Sequence, residues 1–375
     1  MQTPTDTHTT ATRASNAEAV VSRRSSVPFL VIAALAVLVL AVASVLLGSR
    51  GISLSDAWNI LSVGPGADRE SLPAGVASEE YGIIWDLRLP RTVLALTVGA
   101  SLAMAGAIAQ AWTRNPLADP GLIGVNAGAG FAVAIALTFG WAQTIGERAI
   151  FGMIGAACAV AIVLVVSRVS QDPLTLVLVG VGVTFGLQAA SNLMSLYSSD
   201  TLDGLRRWSV GSTAGRGMDD ATVALIGLVV GAVVAFLVAK PLDLLAMGQD
   251  AASALGVSPG KVRLAAGAVI VILAGTATAT VGLVTFLGFA VPHVIRRFTG
   301  PALTRLLPAS ALIGACALLA ADIAGRFLAQ PNEVEMSILV AIVGAPIMIA
   351  TVRERKQGRV WRGKKNSDEV AALTH

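Results

Sequence analysis

The chain has 375 residues, of which 55% are hydrophobic and only 13% charged. A soluble domain carries about 25% charged residues; with a mean hydropathy of +0.74 this chain cannot cover a water-facing surface, so it reads as a multi-spanning membrane protein rather than a soluble enzyme. The net charge of +4 sits in basic tails and loops, a pattern that a bilayer explains without nucleic acid.

Residues 1–26 are polar and rich in Thr, Ser and Ala, as expected of a disordered tail. Ser22-Arg23-Arg24 before Phe29-Leu30 loosely resembles a twin-arginine export signal. The apolar run from Val27 to Leu47 is nevertheless of full span length, and it reads as the first membrane helix. Further runs occupy about 92–112, 121–142, 149–167, 174–196, 221–239, 264–292, 306–321 and 336–352. The run 264–292 is too long for one ordinary span. Split near Val281-Gly282, it gives ten spans and places both tails in the cytoplasm. Eighteen of the 27 Lys and Arg residues then fall inside and nine outside, the expected inward bias. Nine spans would put the basic 353–375 tail outside. The expected fold is therefore an all-α polytopic domain over 27–352 with about ten transmembrane helices. One of these, 282–292, is short and must be buried among its neighbours so that its backbone ends are satisfied. Ten spans also have the parity of an inverted five-plus-five arrangement. Gly124 with Gly128, Gly182 with Gly186, and Gly227 with Gly231 have the spacing of helix contacts.

The span centres hold almost no ionisable group: Gln110, Gln188 and Asn192 are polar but do not titrate, and Asp322 lies at a span end. Ion-coupled carriers need such groups in mid-membrane, so a secondary transporter is the weaker alternative and the energy is expected from elsewhere. It does not come from this chain. Gly256-Val-Ser-Pro-Gly260-Lys261 is one residue too short for a phosphate loop, and Val262 stands where Ser or Thr would hold magnesium. Cys158 and Cys316 lie inside apolar runs as small hydrophobes, and no catalytic, metal-binding or cofactor-binding cluster is expected.

Three polar stretches are too particular for generic loops: Arg88-Leu-Pro-Arg91 at an outer span start, Arg114-Asn-Pro-Leu-Ala-Asp-Pro-Gly-Leu-Ile-Gly124 in an inner turn, and Val291-Pro-His-Val-Ile-Arg-Arg297. With Leu245-Ala-Met-Gly-Gln-Asp-Ala-Ala-Ser-Ala-Leu-Gly-Val257, Asp322-Ile-Ala-Gly-Arg326 and Gly344-Ala-Pro346, they resemble the FecCD family, over about residues 28–355. Members are permease subunits of ATP-binding-cassette (ABC) importers for ferric siderophores, haem and cobalamin. The resemblance implies a membrane permease that pairs with a second permease subunit, identical or not. It would sit on two copies of an ABC ATPase and take cargo from an extracytoplasmic binding protein. Ferric siderophore is the first expectation for cargo, with haem or cobalamin the alternative.

The resemblance also assigns residues. Arg88, Arg91 and Arg326 would dock the binding protein through its carboxylates. Asn115 and Leu117, in a turn whose prolines stop any helix, would form a cytoplasmic gate, with Asp172 and Pro173 as a second gate by position. Gly248, Asp250, Ala251, Ala252, Leu255 and Gly256 would form the helix that couples to the ATPase, its small apolar face suited to a cleft on a soluble partner. Pro292, His293 and Arg296 read as a structural motif at the inner face. The family's usual Glu-x-Pro-x-Gly is replaced by Glu333-Val-Glu335-Met-Ser337, which leaves that outer corner unspecified. Trp208 in the 197–219 loop reads as an interface anchor, and the path wall is expected to be mostly apolar.

Overall fold

A computed structural model describes residues 27–48, 51–67, 72, 76–166, 173–329, 332–351 and 353. The expected N-terminal tail, all of the C-terminal tail except residue 353, and Asp172 lie outside the described residues. Thirteen helices are used below: α1 (Val27–Leu46), α2 (Leu54–Val63), α3 (Ser78–Thr113), α4 (Val125–Thr138), α5 (Ile145–Val166), α6 (Pro173–Tyr197), α7 (Ser199–Ser209), α8 (Met218–Ala246), α9 (Gln249–Ala254), α10 (Pro259–Val281), α11 (Leu287–Thr299), α12 (Leu303–Leu328) and α13 (Met336–Thr351). Seven of them are long and apolar enough to cross a membrane, and α4 and α13 are shorter apolar helices. Together with the short α11, these account for the ten expected segments.

Helix α3 is the axis of the fold. In its most apolar stretch 89% of the residues are buried, against 11% for α1 and 6% for α6. Its sequence explains this: Gly99, Ala100, Ala103, Gly106, Ala107 and Ala109 keep its surface low, so neighbours come in at backbone distance. A Cβ on Gly99 would overlap the Gly314 carbonyl of α12, and one on Gly106 would overlap the Gly288 carbonyl of α11. Gly128 meets Gly155 of α5 in the same way, while Gly227 and Gly231 admit Thr276 and Leu273 of α10. Gly182 and Gly186 have nothing within 4 Å; they lie on α6, whose side is open in the single chain.

The structure amends three boundaries. Helix α3 begins fourteen residues before the predicted 92, because a π-helical segment, Ile83–Arg88, continues it through the Arg88 motif. The outer loops contain the amphipathic helices α2 and α7. The long run does break at Gly282, whose φ is +87°, but the short helix starts at Leu287 and continues through the whole Pro292 motif to Thr299. The intervening non-helical stretch is held by the end of α7 and the residues that follow it: Leu283 N–H donates to the Trp208 carbonyl (3.3 Å), Gly211 N–H to Leu283 (3.1 Å) and Ser212 N–H to Val281 (2.9 Å). Non-helical backbone at membrane depth is thus paired inside protein.

Candidate functional site: transport path and docking surfaces

A cavity of about 550 Å³ opens on the side of the chain that α6 leaves uncovered. One wall is a polar row on α6: Thr184, Gln188, Ser191, Asn192 and Ser195, spaced so that they share one helix face. Thr184, Ser191 and Ser195 donate to carbonyls four residues earlier. Gln188 and Asn192 are exposed and make no hydrogen bond among the described residues. Unpaired carboxamides at mid-span do not face hydrocarbon without a cost of a few kcal/mol, so this face belongs to water or to another polar surface. The wall as a whole is mostly apolar, as expected, and this polar row is set into it. Its signal was in the sequence as a period of three and four among small polar residues, hidden by the apolar residues between them.

The cavity floor comes from the inner turn and the start of α11. Asn115 Oδ1 accepts the Leu117 N–H at 3.0 Å, a local turn that presents Leu117 to the cavity. Asp119 accepts the Gly121 N–H at 2.8 Å and also the Phe289 N–H, so it caps the broken helix α11. Burial pushes its carboxyl up to about 6 against those two hydrogen bonds. Phe286, at φ +67°, and Phe289 complete the floor, and Gln110 Nε2 donates to the Phe289 carbonyl at 3.1 Å. Asn115 and Leu117 therefore meet in one structure with Asp119, for which the sequence alone suggested no role beyond the turn. Pro173 opens α6. Trp208 is buried against Gly130 of α4 instead of standing as an interface anchor.

At the inner end, a cavity of about 960 Å³ is lined by Arg114, Asp243, His293, Arg296 and Arg297 among others. His293 stacks on Phe289 at 5.8 Å, and Pro292 is buried within α11. The neighbouring α9 lies between Gly248 (φ +128°) and Gly256 (φ +80°), conformations that favour glycine. Asp250, Ala251 and Leu255 are exposed, but Ala252 is fully buried in the body of the chain. Ala252 therefore does not share the outward apolar face with Ala251 and Leu255. Spacing alone put it there; the side of α9 that lies against the body is the one carrying Ala252.

At the outer end the three arginines do converge, yet two are buried and engaged. Arg88 donates to the carbonyls of Val45 (3.0 Å) and Leu46 (2.7 Å). Arg326 donates to those of Ser44 (2.6 Å) and Leu47 (2.9 Å) and pairs with Asp322. Both cap the last turn of α1, where carbonyls lack intrahelical partners. Arg91 pairs with Asp322 (2.8 Å) and Glu333 (2.6 Å), which gives the divergent corner its shape, and Thr213 donates to Asp322 at 2.6 Å. Arg91, Arg216 and Glu333 border an outer cleft of about 380 Å³ together with Arg88 and Arg326. Burial lowers the pKa of Arg216.

An all-helical membrane body with a short helix after a broken span, a half-cavity carrying a polar row and open on one side, and a glycine-bounded surface helix defines a transport permease. Residues 35–354 match the FecCD transport family, and the chain belongs to it. It is 37% identical over 304 residues to the ferric enterobactin transport system permease protein FepD of Escherichia coli (strain K12), covering 77% of this chain and 90% of that one. It is 36% identical over 279 residues to a siderophore transport system permease protein, YfiZ, of Bacillus subtilis (strain 168), covering 74% and 84%. A solved inward-facing structure of a metal-chelate type ABC transporter superposes with a TM-score of 0.75 at 27% identity, over 87% of this chain and 99% of that one.

Proposed function

We propose that this chain is a membrane permease subunit of an ABC importer for ferric siderophores. The observation that carries this reading is the polar face of α6 on an open-sided cavity, in a chain of this family. Such a half-cavity becomes a closed path when a second permease subunit, the same or a sister chain, covers its open side. Neutral amides and hydroxyls suit a large hydrophilic chelate that is passed along without being held, since a path must release what it admits. The siderophore permeases among the relatives favour that cargo over haem or cobalamin.

The inner turn carrying Asn115 and Leu117 closes the floor, with Pro173 at the start of α6 as its counterpart. The exposed Asp250–Ala251–Leu255 side of α9 enters a cleft on the ATPase, two copies of which serve two permeases. ATP binding would move α9, and through Pro259 the helix α10 that continues it, so that the floor opens and closes. Outside, the binding protein docks over the arginine cleft. Arg216 offers charge at its border, with Arg91 neutralised by Asp322 and Glu333 beside it, while Arg88 and Arg326 hold the end of α1 beneath. The excess of Lys and Arg on one side supports cytoplasmic tails.

The test is uptake of ferric chelates by vesicles containing the permease, its ATPase and its binding protein. Accumulation of a ferric siderophore that stops with a hydrolysis-dead ATPase is expected. Transport of haem or cobalamin in preference to every ferric siderophore would overturn the cargo assignment.

A further inference from the structure

The second face of α7 carries information about cargo charge. Thr201, Gly204 and Trp208 bury against α4: Thr201 and Thr138 hydroxyls are 3.0 Å apart, Gly204 sits against Leu137, and Gly130 makes room for the Trp208 ring. This packing turns Leu202, Leu205, Arg206 and Ser209 into the cavity. Arg206 is exposed there and has no ion pair among the described residues, although Asp200 and Asp203 lie on the same helix. Among the described residues only one other ionisable side chain, Asp119 of the turn before α4, lines the cavity. Its carboxyl is spent on two backbone N–H groups, and burial favours its neutral form.

Resting on the reading of this cavity as half of a cargo path, we propose that Arg206 is a charge-selecting residue and that the cargo is a negatively charged ferric chelate. A guanidinium between low-dielectric walls concentrates anions and repels cations, and its fork fits catecholate or carboxylate oxygens. The donors around it agree with an acceptor-rich cargo. Gln188 and Asn192, both exposed on the cavity wall, present unused amide N–H groups. A second permease copy opposite would double the field with no new chemistry.

The test compares wild type with R206K, R206Q and R206E in vesicles carrying the complete complex. The probes are an anionic ferric tris-catecholate and an uncharged ferric tris-hydroxamate. Quenching of tryptophan fluorescence by each chelate, in the permease–ATPase complex without binding protein, separates path affinity from delivery. Loss of one charge-assisted contact predicts about tenfold weaker handling of the anionic chelate in R206Q, seen in KM more than kcat, a larger loss in R206E, and partial retention in R206K. The uncharged chelate should change less than about twofold. Equal handling of the anionic chelate by R206E and wild type overturns the inference alone. So does an equal loss of both chelates in R206Q and R206E. A wild-type complex that carries neither ferric chelate overturns the underlying reading as well.

Discussion

Arg88 and Arg326 stand where a helix is electrostatically weakest, at the carbonyl end of α1, and both guanidiniums are drawn out of water to reach it. Removing one leaves more than a missing contact, because Ser44 and Leu47 carbonyls and one side of the buried Asp322 carboxylate lose their donor together. Arg326→Ala is therefore expected to cost about 3 kcal/mol, read as a lowered Tm of the purified permease. Arg207→Ala, on an exposed residue, should stay within about 0.5 kcal/mol. Equal Tm values for the two variants would contradict the capping role. Asp119 gives a pH signature of opposite sense to an ordinary ion-paired carboxylate. Its native pKa lies above the free value, from 3.8 to about 6, so the native state holds the proton more tightly and stability falls as pH rises across that window. The full effect is at most about 3 kcal/mol, reduced where cavity water reaches the carboxyl. Asp119→Asn should flatten the Tm profile between pH 4 and about 6; an unchanged slope would show that the titration lies elsewhere. The sequence made the arginines visible as a motif but not their burial. Charge by itself signals surface, and the carboxylate that turns Arg91 inward is 231 positions away.

Helix α9 shows how a correct element can hold a wrongly oriented residue. Its limits follow from two glycines at positive φ and were legible, whereas the direction of Ala252 depends on how the helix lies against the body. Leu255→Asp places a charge on the exposed side and should cut cargo-stimulated ATP hydrolysis by about tenfold or more with Tm unchanged, since a central interface residue dominates such contacts. Ala252→Trp must force a large ring into a filled site and should lower Tm by the equivalent of about 1–3 kcal/mol. If Leu255→Asp couples normally while the protein is folded, the ATPase meets another surface. The full-length spans were legible because apolar runs of about 20 residues have few alternatives. Helices α2 and α7 were not, because short amphipathic helices in loops lack both length and a continuous apolar run. The break in the long run was read at the right glycine, yet the five residues before α11 take their shape from backbone partners at and after the end of α7, which no local pattern announces.

At the scale of the whole molecule, charge is arranged in two layers with a neutral interior. The Arg91–Asp322–Arg326 network closes one end, and Arg114, Asp243 and the α11 arginines gather at the other. Among the described residues the helical stretches between these layers carry amides and hydroxyls on the α6 face and, apart from Arg206 of α7, no carboxylate or basic side chain. Coupling to a proton or sodium gradient requires a site that changes charge or coordinates a bare ion while exposed alternately to the two sides. Asp119 does not meet this requirement: it belongs to the inner turn and caps α11 through Phe289. On the proposed reading the driving force enters mechanically, through α9 and the helices joined to it. Permeabilising the vesicles to protons and sodium ions should leave the initial uptake rate within about twofold, whereas a hydrolysis-dead ATPase should abolish it. The permease reconstituted alone should equilibrate cargo at most and never accumulate it. Accumulation by the lone chain, collapsing when the ion gradient is dissipated, would require a coupling site that the neutral interior does not provide.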